Sequence, residues 1–443
     1  MKQIVILSFS ILCCFLSGQK LEIGKEKIKL PFDGSSELAY DVELVKNAAY
    51  LFTAYQSNID VEIILRDTDG KQVMRTDVAD GRNGYDRIDF TANKDGIYHL
   101  IIRSVEKEKK PAGTVEISVK KFSTKEMKSR KKISEELKEE NSKDVLTLDI
   151  THFWEAYDQL PLAKTTQDSI NIIQKMYLNR ATEGLKEFQK VRYFEAESFV
   201  ERIRKYPKFY NSVRNNTMIP LQEGNFSSVT DGLKKIYPNA QPAKICFTVG
   251  PMSTGGTVSN GYLLIGIEMI SGSSDCDVSE ITNENLKGEI MSRTGRSDVI
   301  AFIKEMVTHE YIHTQQKKID KNACSCWLLE NIIKEGVASF VSEKLILNTK
   351  ENNSKAFKYV QENEKKLWEE LKGQLCSKDV SRWLYNAASS KDRPGDLGYR
   401  MGYNMAEAYY NNTADKKEAV KEMIEMDNPL LFLDKSRYDL KLR

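Results

Sequence analysis

From about Leu21 to Phe122 apolar residues alternate with polar ones, whereas beyond Leu146 they recur at helical spacing. A side chain repeats its direction every second residue in a strand and about every 3.6 residues in a helix, so no single regular element serves both stretches. The chain therefore reads as an all-β part followed by a mainly helical part. Six runs carry the alternation: Ala39 to Val45, Tyr50 to Tyr55, Val61 to Leu65, Arg87 to Phe90, Tyr98 to Ile102 and Val115 to Val119. Between them, Asp67-Thr68-Asp69-Gly70 and Asn93-Lys94-Asp95-Gly96 supply turn chemistry, because Asp and Asn bond back to the chain and Gly accepts positive φ. A small antiparallel β-sandwich over residues 19–122 is the expectation.

Residues 123–145 are dominated by Lys, Glu and Ser, without a dense apolar stripe, and read as a charged, solvated linker, transiently helical through its Glu and Lys neighbours. The second domain, 146–443, is α+β with helices in the majority. Phe153, Trp154, Tyr157 and Leu160 mark one helix face, and Ile170, Ile173, Met176 and Tyr177 another. Lys244 to Val249 and Tyr262 to Met269 read as strands, separated by the glycine-rich Thr254-Gly255-Gly256-Thr257.

The 66 basic and 64 acidic residues nearly cancel, which leaves no electrostatic footprint for nucleic acid. At the N-terminus Lys2 precedes the apolar stretch Ile4 to Leu16 and the small residues Ser17 and Gly18, the pattern of a signal peptide over residues 1–18. The mature chain is then secreted or periplasmic, with no transmembrane span. Lipidation at Cys13 or Cys14 is the weaker reading, because Ser10-Ile11-Leu12 lacks a small residue just before the cysteine. Five cysteines remain: Cys246, Cys276, Cys324, Cys326 and Cys376. Cys324 and Cys326 lie too close together to favour each other, so Cys376 and Cys276 are the candidate partners, with connectivity open.

The strongest chemical signal is Val307-Thr308-His309-Glu310-Tyr311-Ile312-His313. A helix capped by Ser297, with Val299, Ile303, Met306 and Val307 facing inward, would put His309 and His313 on one face, where both imidazoles reach one ion at about 2.0–2.1 Å. Glu310 would lean over the same Zn²⁺ as general base for a bound water. A third ligand must come from elsewhere. The segment Leu328 to Leu347 offers Glu330, Glu335 and Glu343, and Glu335 is preferred because Gly336 beside it allows close backbone approach. Tyr399 and Tyr403, four apart, are candidate oxyanion donors, and the Gly255-Gly256-Thr257 region is a candidate edge for an extended peptide or protein substrate.

Two stretches resemble known groups. Asp60, Val61, Ile63, Leu65, Asp69 and Gly70, followed by Asp95, Gly96, Tyr98, Leu100 and Ile102, resemble the bacterial prepeptidase C-terminal type of β-sandwich. That implies an accessory module, a spacer in preference to a binder of glycan or protein. His309 to His313 followed by Glu335-Gly336-Val337-Ala338, and preceded by Phe153-Trp154-Glu155-Ala156-Tyr157-Asp158 and Gly184-Leu185, resembles a bacterial family of predicted zinc-dependent proteases from about Leu146 onward. The resemblance implies a gluzincin-like site with Glu as third ligand. Ser339 departs from it, standing where thermolysin has an Asp that orients a ligand histidine.

The sequence thus favours a zinc metallopeptidase, a hydrolase with His309, His313 and Glu335 on the metal. The competing reading is a catalytically degenerate zinc-containing binding protein at the cell surface. Hydrolysis of a non-peptide amide is the third.

Overall fold

The computed structural model describes residues 19–77, 82–105, 113–223, 225–317, 326–349, 354–387 and 389–442. Residues 1–18, with the expected signal peptide and both N-terminal cysteines, lie outside the described residues, as does Cys324. The chain divides into two compact units, Met1–Glu135 and Glu136–Arg443.

The first unit is β-rich. Its strands are β1 (Gln19–Lys20), β2 (Ile28–Phe32), β3 (Leu38–Leu44), β4 (Ala49–Ser57), β5 (Val61–Arg66), β6 (Gln72–Thr76), β7 (Asn83–Thr91), β8 (Gly96–Ser104) and β9 (Gly113–Lys121). They form two sheets, ordered β1-β3-β8-β5-β6 and β2-β9-β4-β7, antiparallel except where β1 meets β3. The period-2 pattern explains the core: Tyr50, Phe52 and Ala54 of β4 are buried at alternate positions and share one cluster with Val42, Leu100, Ile102, Val115 and Ile117. Each such aliphatic side chain contributes about 1.5–3 kcal/mol on burial. Asp67 Oδ1 accepts from the amides of Asp69 and Lys71, and Gly70 turns the chain at φ 78°. The strands β1, β2 and β6 had no counterpart among the expected runs; they are short, and β2 and β6 contain mostly half-exposed or exposed residues.

Thr124–Asn141 forms helix α1, where a solvated linker was expected. It is charged nearly all round, so no apolar stripe announces it; Ser123 and Glu126 close its first turn with reciprocal hydrogen bonds, the Glu126 carboxylate accepting from the Ser123 amide and the Ser123 hydroxyl accepting from the Glu126 amide.

The second unit is mainly helical around a small sheet. Its strands are β10 (Val145–Leu146), β11 (Lys244–Thr248), β12 (Gly256–Ser259) and β13 (Tyr262–Gly266), ordered β10-β11-β13-β12. Pairing is parallel for β10-β11 and β11-β13, antiparallel for β12-β13. The glycine-rich segment, read both as a spacer and as a candidate edge, opens the edge strand β12, with Tyr262–Gly266 lying one strand further in. Nor does the last strand run to Met269; Ile267–Ile270 turns into a short helix whose Glu268 carboxylate accepts from the amides of Gly250 and Met252.

Three further helices build the site: α2 (Arg296–Gln315), α3 (Trp327–Phe340) and α4 (Leu397–Asn412). Ser297 does not cap α2. The helix starts after Gly295, and Asp298 in its first turn accepts from both the amide and the hydroxyl of Thr294. Val299, Ile303, Val307, Tyr311 and Ile312 are buried along α2. Helices α3 and α4 cross backbone to backbone at Gly336 and Gly402: a Cβ on Gly336 would lie 1.9 Å from the Gly402 carbonyl carbon. A disulfide joins Cys326, at the start of α3, to Cys376, while Cys246 and Cys276 are free thiols in the interior.

Candidate metal centre

One helical turn separates His309 from His313 on α2, and their Nε2 atoms stand 3.0 Å apart. Glu335, on α3, brings Oε2 to 3.3 Å from His309 Nε2 and 3.1 Å from His313 Nε2. In a tetrahedral site with bonds of about 2.0–2.1 Å, neighbouring donor atoms are roughly 3.3–3.4 Å apart, so three donors of the right type face one ion-sized point with shifts of a few tenths of an ångström. Glu330 is not among them. It is buried one turn earlier and paired with Lys334 at 2.7 Å.

Each donor is held from behind. His313 Nδ1–H donates to Gln316 Oε1 at 2.8 Å, and the Gln316 amide is itself fixed because its Nε2 donates to the Lys334 carbonyl at 2.9 Å. This leaves Nε2 of His313 as the atom presented to the centre. His309 Nδ1 lies 3.4 Å from Ser339 Oγ, so the residue that departs from the thermolysin pattern contacts the same imidazole nitrogen such a partner would orient. Tyr385 donates its hydroxyl to Glu335 Oε1 at 2.7 Å, leaving Oε2 for the imidazoles.

Charge reinforces the cluster. Burial alone would raise the Glu335 carboxyl, but the charges and hydrogen bonds of His313 and His309 hold it well below the usual carboxylate range. Burial likewise disfavours a charged His313, yet Glu335, Glu310 and Gln316 outweigh it and push the imidazole up to about 9. Glu310 is raised by burial, which His313 and His309 partly offset. Its carboxylate lies under the edge strand, where a Cβ on Gly256 would come 2.5 Å from Glu310 Oε1.

The donors line a cleft of about 950 Å³ that also contains Arg192, Gly256, Glu310, Tyr385 and Tyr399. Of the two tyrosines singled out in the sequence, the structure brings only Tyr399 here, its ring 6.3 Å from that of His309. Tyr403, also expected as an oxyanion donor, does not line the cleft. One turn further along α4 it has passed the cleft, packing edge-on against Phe340 at 5.3 Å with the Arg400 guanidinium 4.3 Å from its ring centre. Sequence reasoning missed Gln316 and Tyr385. The first carries a faint signal, lying three residues beyond His313; the second carries none, because tertiary folding alone brings its loop to Glu335.

Fold and site together define a β-rich unit followed by a mainly helical unit that bears a three-donor His/His/Glu cluster in a cleft. The chain belongs to the family of gliding motility protein GldB, whose profile matches residues 112–440. The family is described as one of gliding motility proteins of lipoprotein type, and this overturns the expectation of a metallopeptidase that cleaves a peptide substrate. No curated protein matches the chain. Among solved structures, the pre-peptidase C-terminal domain of collagenase from Bacillus anthracis is similar at 18% identity over 23% of this chain and 95% of that one, with a TM-score of 0.18. PliG, a periplasmic inhibitor of g-type lysozyme from Aeromonas hydrophila, is similar at 10% identity over 23% of this chain and 96% of that one, with a TM-score of 0.19. Among the described residues no helix is long and apolar enough to cross a membrane.

Proposed function

We propose that this chain is a zinc-containing binding protein of the cell envelope, a catalytically degenerate form of a gluzincin-like site, that serves gliding motility by docking another envelope protein. The observation that carries the reading is the convergence of His309 Nε2, His313 Nε2 and Glu335 Oε2, each donor backed by its own partner, in a chain of the GldB family. Two imidazoles and one carboxylate suit zinc among the available divalent ions. When bound, the ion supplies positive charge against a buried carboxylate and cross-links α2 to α3.

The chain's own residues do the rest. Gln316 and Ser339 set the imidazoles, Tyr385 sets the carboxylate, and Glu310 packs beneath Gly256 beside the cluster. Family membership supports attachment by a lipid on Cys13 or Cys14 in place of free secretion. It likewise supports a protein partner in the gliding apparatus over a substrate to be cleaved, with a glycan or protein ligand for the β-rich unit a secondary proposal.

The test is genetic complementation. In a strain lacking the gene, Glu310→Gln should restore spreading over a surface, whereas the double substitution His309→Ala, His313→Ala should not. Failure of Glu310→Gln in a protein that still holds zinc would mean that proton transfer at Glu310 is needed, contrary to a binding role.

A further inference from the structure

Tyr385 sits at φ 58°, a left-handed backbone conformation that a bulky residue seldom adopts, and it does so at the one point where its hydroxyl meets Glu335. The segment that presents it is pinned on both sides. Trp383 and Leu384, immediately before it, are fully buried. Immediately after it, the Asn386 amide donates to Asp396 Oδ1 at 2.7 Å and the Asp396 amide donates to Asn386 Oδ1 at 2.6 Å. At its root, Leu328 and Leu329 of α3 donate to the carbonyls of Ser377 and Leu375, and the Cys326–Cys376 disulfide fastens the same place covalently. Helix α3 and this loop are thus joined at two places: where α3 begins, by the disulfide and the two backbone hydrogen bonds, and at the Glu335 carboxylate, by Tyr385.

We infer that Tyr385 is the positioning residue of the carboxylate ligand and that the Cys326–Cys376 disulfide, by anchoring the loop, sets how tightly the site holds its metal. The inference rests on the zinc reading of the cluster given above. With Oε1 occupied by the phenol, Glu335 offers Oε2 alone; without the phenol both oxygens are free to face the centre and the ligand loses its fixed orientation. Opening the disulfide leaves the loop tethered only by its non-covalent contacts, so the phenol is held at Glu335 less of the time.

Zinc affinity would be measured by competition with a chromophoric chelator on four samples of the folded full chain: wild type and Tyr385→Phe, each oxidised or treated with a water-soluble phosphine. The phosphine gives two electrons to the disulfide and becomes a phosphine oxide with oxygen from water, while the two sulfurs take up protons as Cys326 and Cys376 thiols. Tyr385→Phe is expected to weaken zinc by roughly 10–100-fold, the usual consequence of losing a partner that orients a metal ligand. Reduction of wild type should weaken it in the same direction, and reduction of Tyr385→Phe should add little, because both changes act through one contact. Cobalt-substituted protein supplies a readout that a merely structural role would not move: the visible bands should change in Tyr385→Phe because the Glu335 carboxylate would lose its fixed orientation. If oxidised wild type binds zinc but all four affinities agree, the inference is overturned while the metal site stands; additive losses overturn the link between disulfide and tyrosine. A wild type that binds no zinc overturns the reading of the site itself.

Discussion

Gln316 Oε1 accepts a 2.8 Å hydrogen bond from His313 Nδ1–H while its own amide nitrogen donates to the Lys334 carbonyl, one residue before Glu335. A single side chain therefore orients one donor and ties the end of α2 to the turn of α3 that carries Glu335. Gln316→Ala is expected to weaken zinc by roughly tenfold or more without unfolding the chain, read by chelator competition alongside a thermal melt. Gln316→Glu keeps the acceptor but forfeits the donated bond to Lys334, and should fall between the two.

The elevated His313 gives a pH dependence with a definite sign. Its folded value of about 9 lies above the ordinary value near 6.5, so its contribution to the metal-free fold is complete below about 6.5 and is lost as pH rises through about 9. Glu335, held below the usual carboxylate range, contributes above about 4.5 and loses that contribution as pH falls toward its depressed folded value. Metal-free protein should therefore melt at progressively lower temperature from pH 6.5 to 9.5, a loss of roughly 1–3 kcal/mol, whereas zinc-loaded protein should show little change over that window. Zinc uptake at pH 7.5 should release close to one proton, measurable by calorimetry in buffers of different ionisation enthalpy.

The crossing of α3 and α4 leaves no room for a methyl group. Gly336→Ala or Gly402→Ala forces two backbones apart, since the added carbon would lie 1.9 Å from main-chain atoms in either case. A cost of about 3 kcal/mol or more follows from overpacking where only backbone can give way, and denaturant titration would measure it. Because Glu335 precedes Gly336, the same variants should also lose zinc affinity.

Replacing both Cys326 and Cys376 by Ala removes a cross-link between residues 50 apart in sequence, worth about 4 kcal/mol by loop-closure entropy as an upper estimate. Thermal melts of the double variant and wild type under oxidising conditions should differ accordingly and converge once wild type is reduced.

How much of this could be read from the sequence depends on how local the cause was. The strands β3, β4, β8 and β9 announce themselves because each buries one face, and β4 alternates without a break from Ala54 to Phe52 to Tyr50. Helix α1 was illegible since it buries almost nothing of itself. His309 and His313 meet by helical spacing alone, and Gly336 flagged Glu335 through a close approach whose partner, Gly402, could not be named beforehand. Tyr403 shares the helix and spacing of Tyr399 but sits one turn beyond the cleft, a distance that spacing does not reveal. Tyr385 reaches the cluster through an irregular loop between two clasps, a purely tertiary outcome. The peptidase expectation failed for another reason: the motif specifies donors for an ion, while the role of the chain is set by what surrounds them, and the family match places it with gliding motility protein GldB.

The most direct test of the metal site is the metal content of purified wild type, His309→Ala/His313→Ala and Glu310→Gln after exchange into zinc-replete, then metal-free buffer. Wild type and Glu310→Gln should each retain about one zinc per chain, and the double histidine variant should retain none. A folded wild type that emerges without zinc, or a double variant that keeps it, would contradict the account.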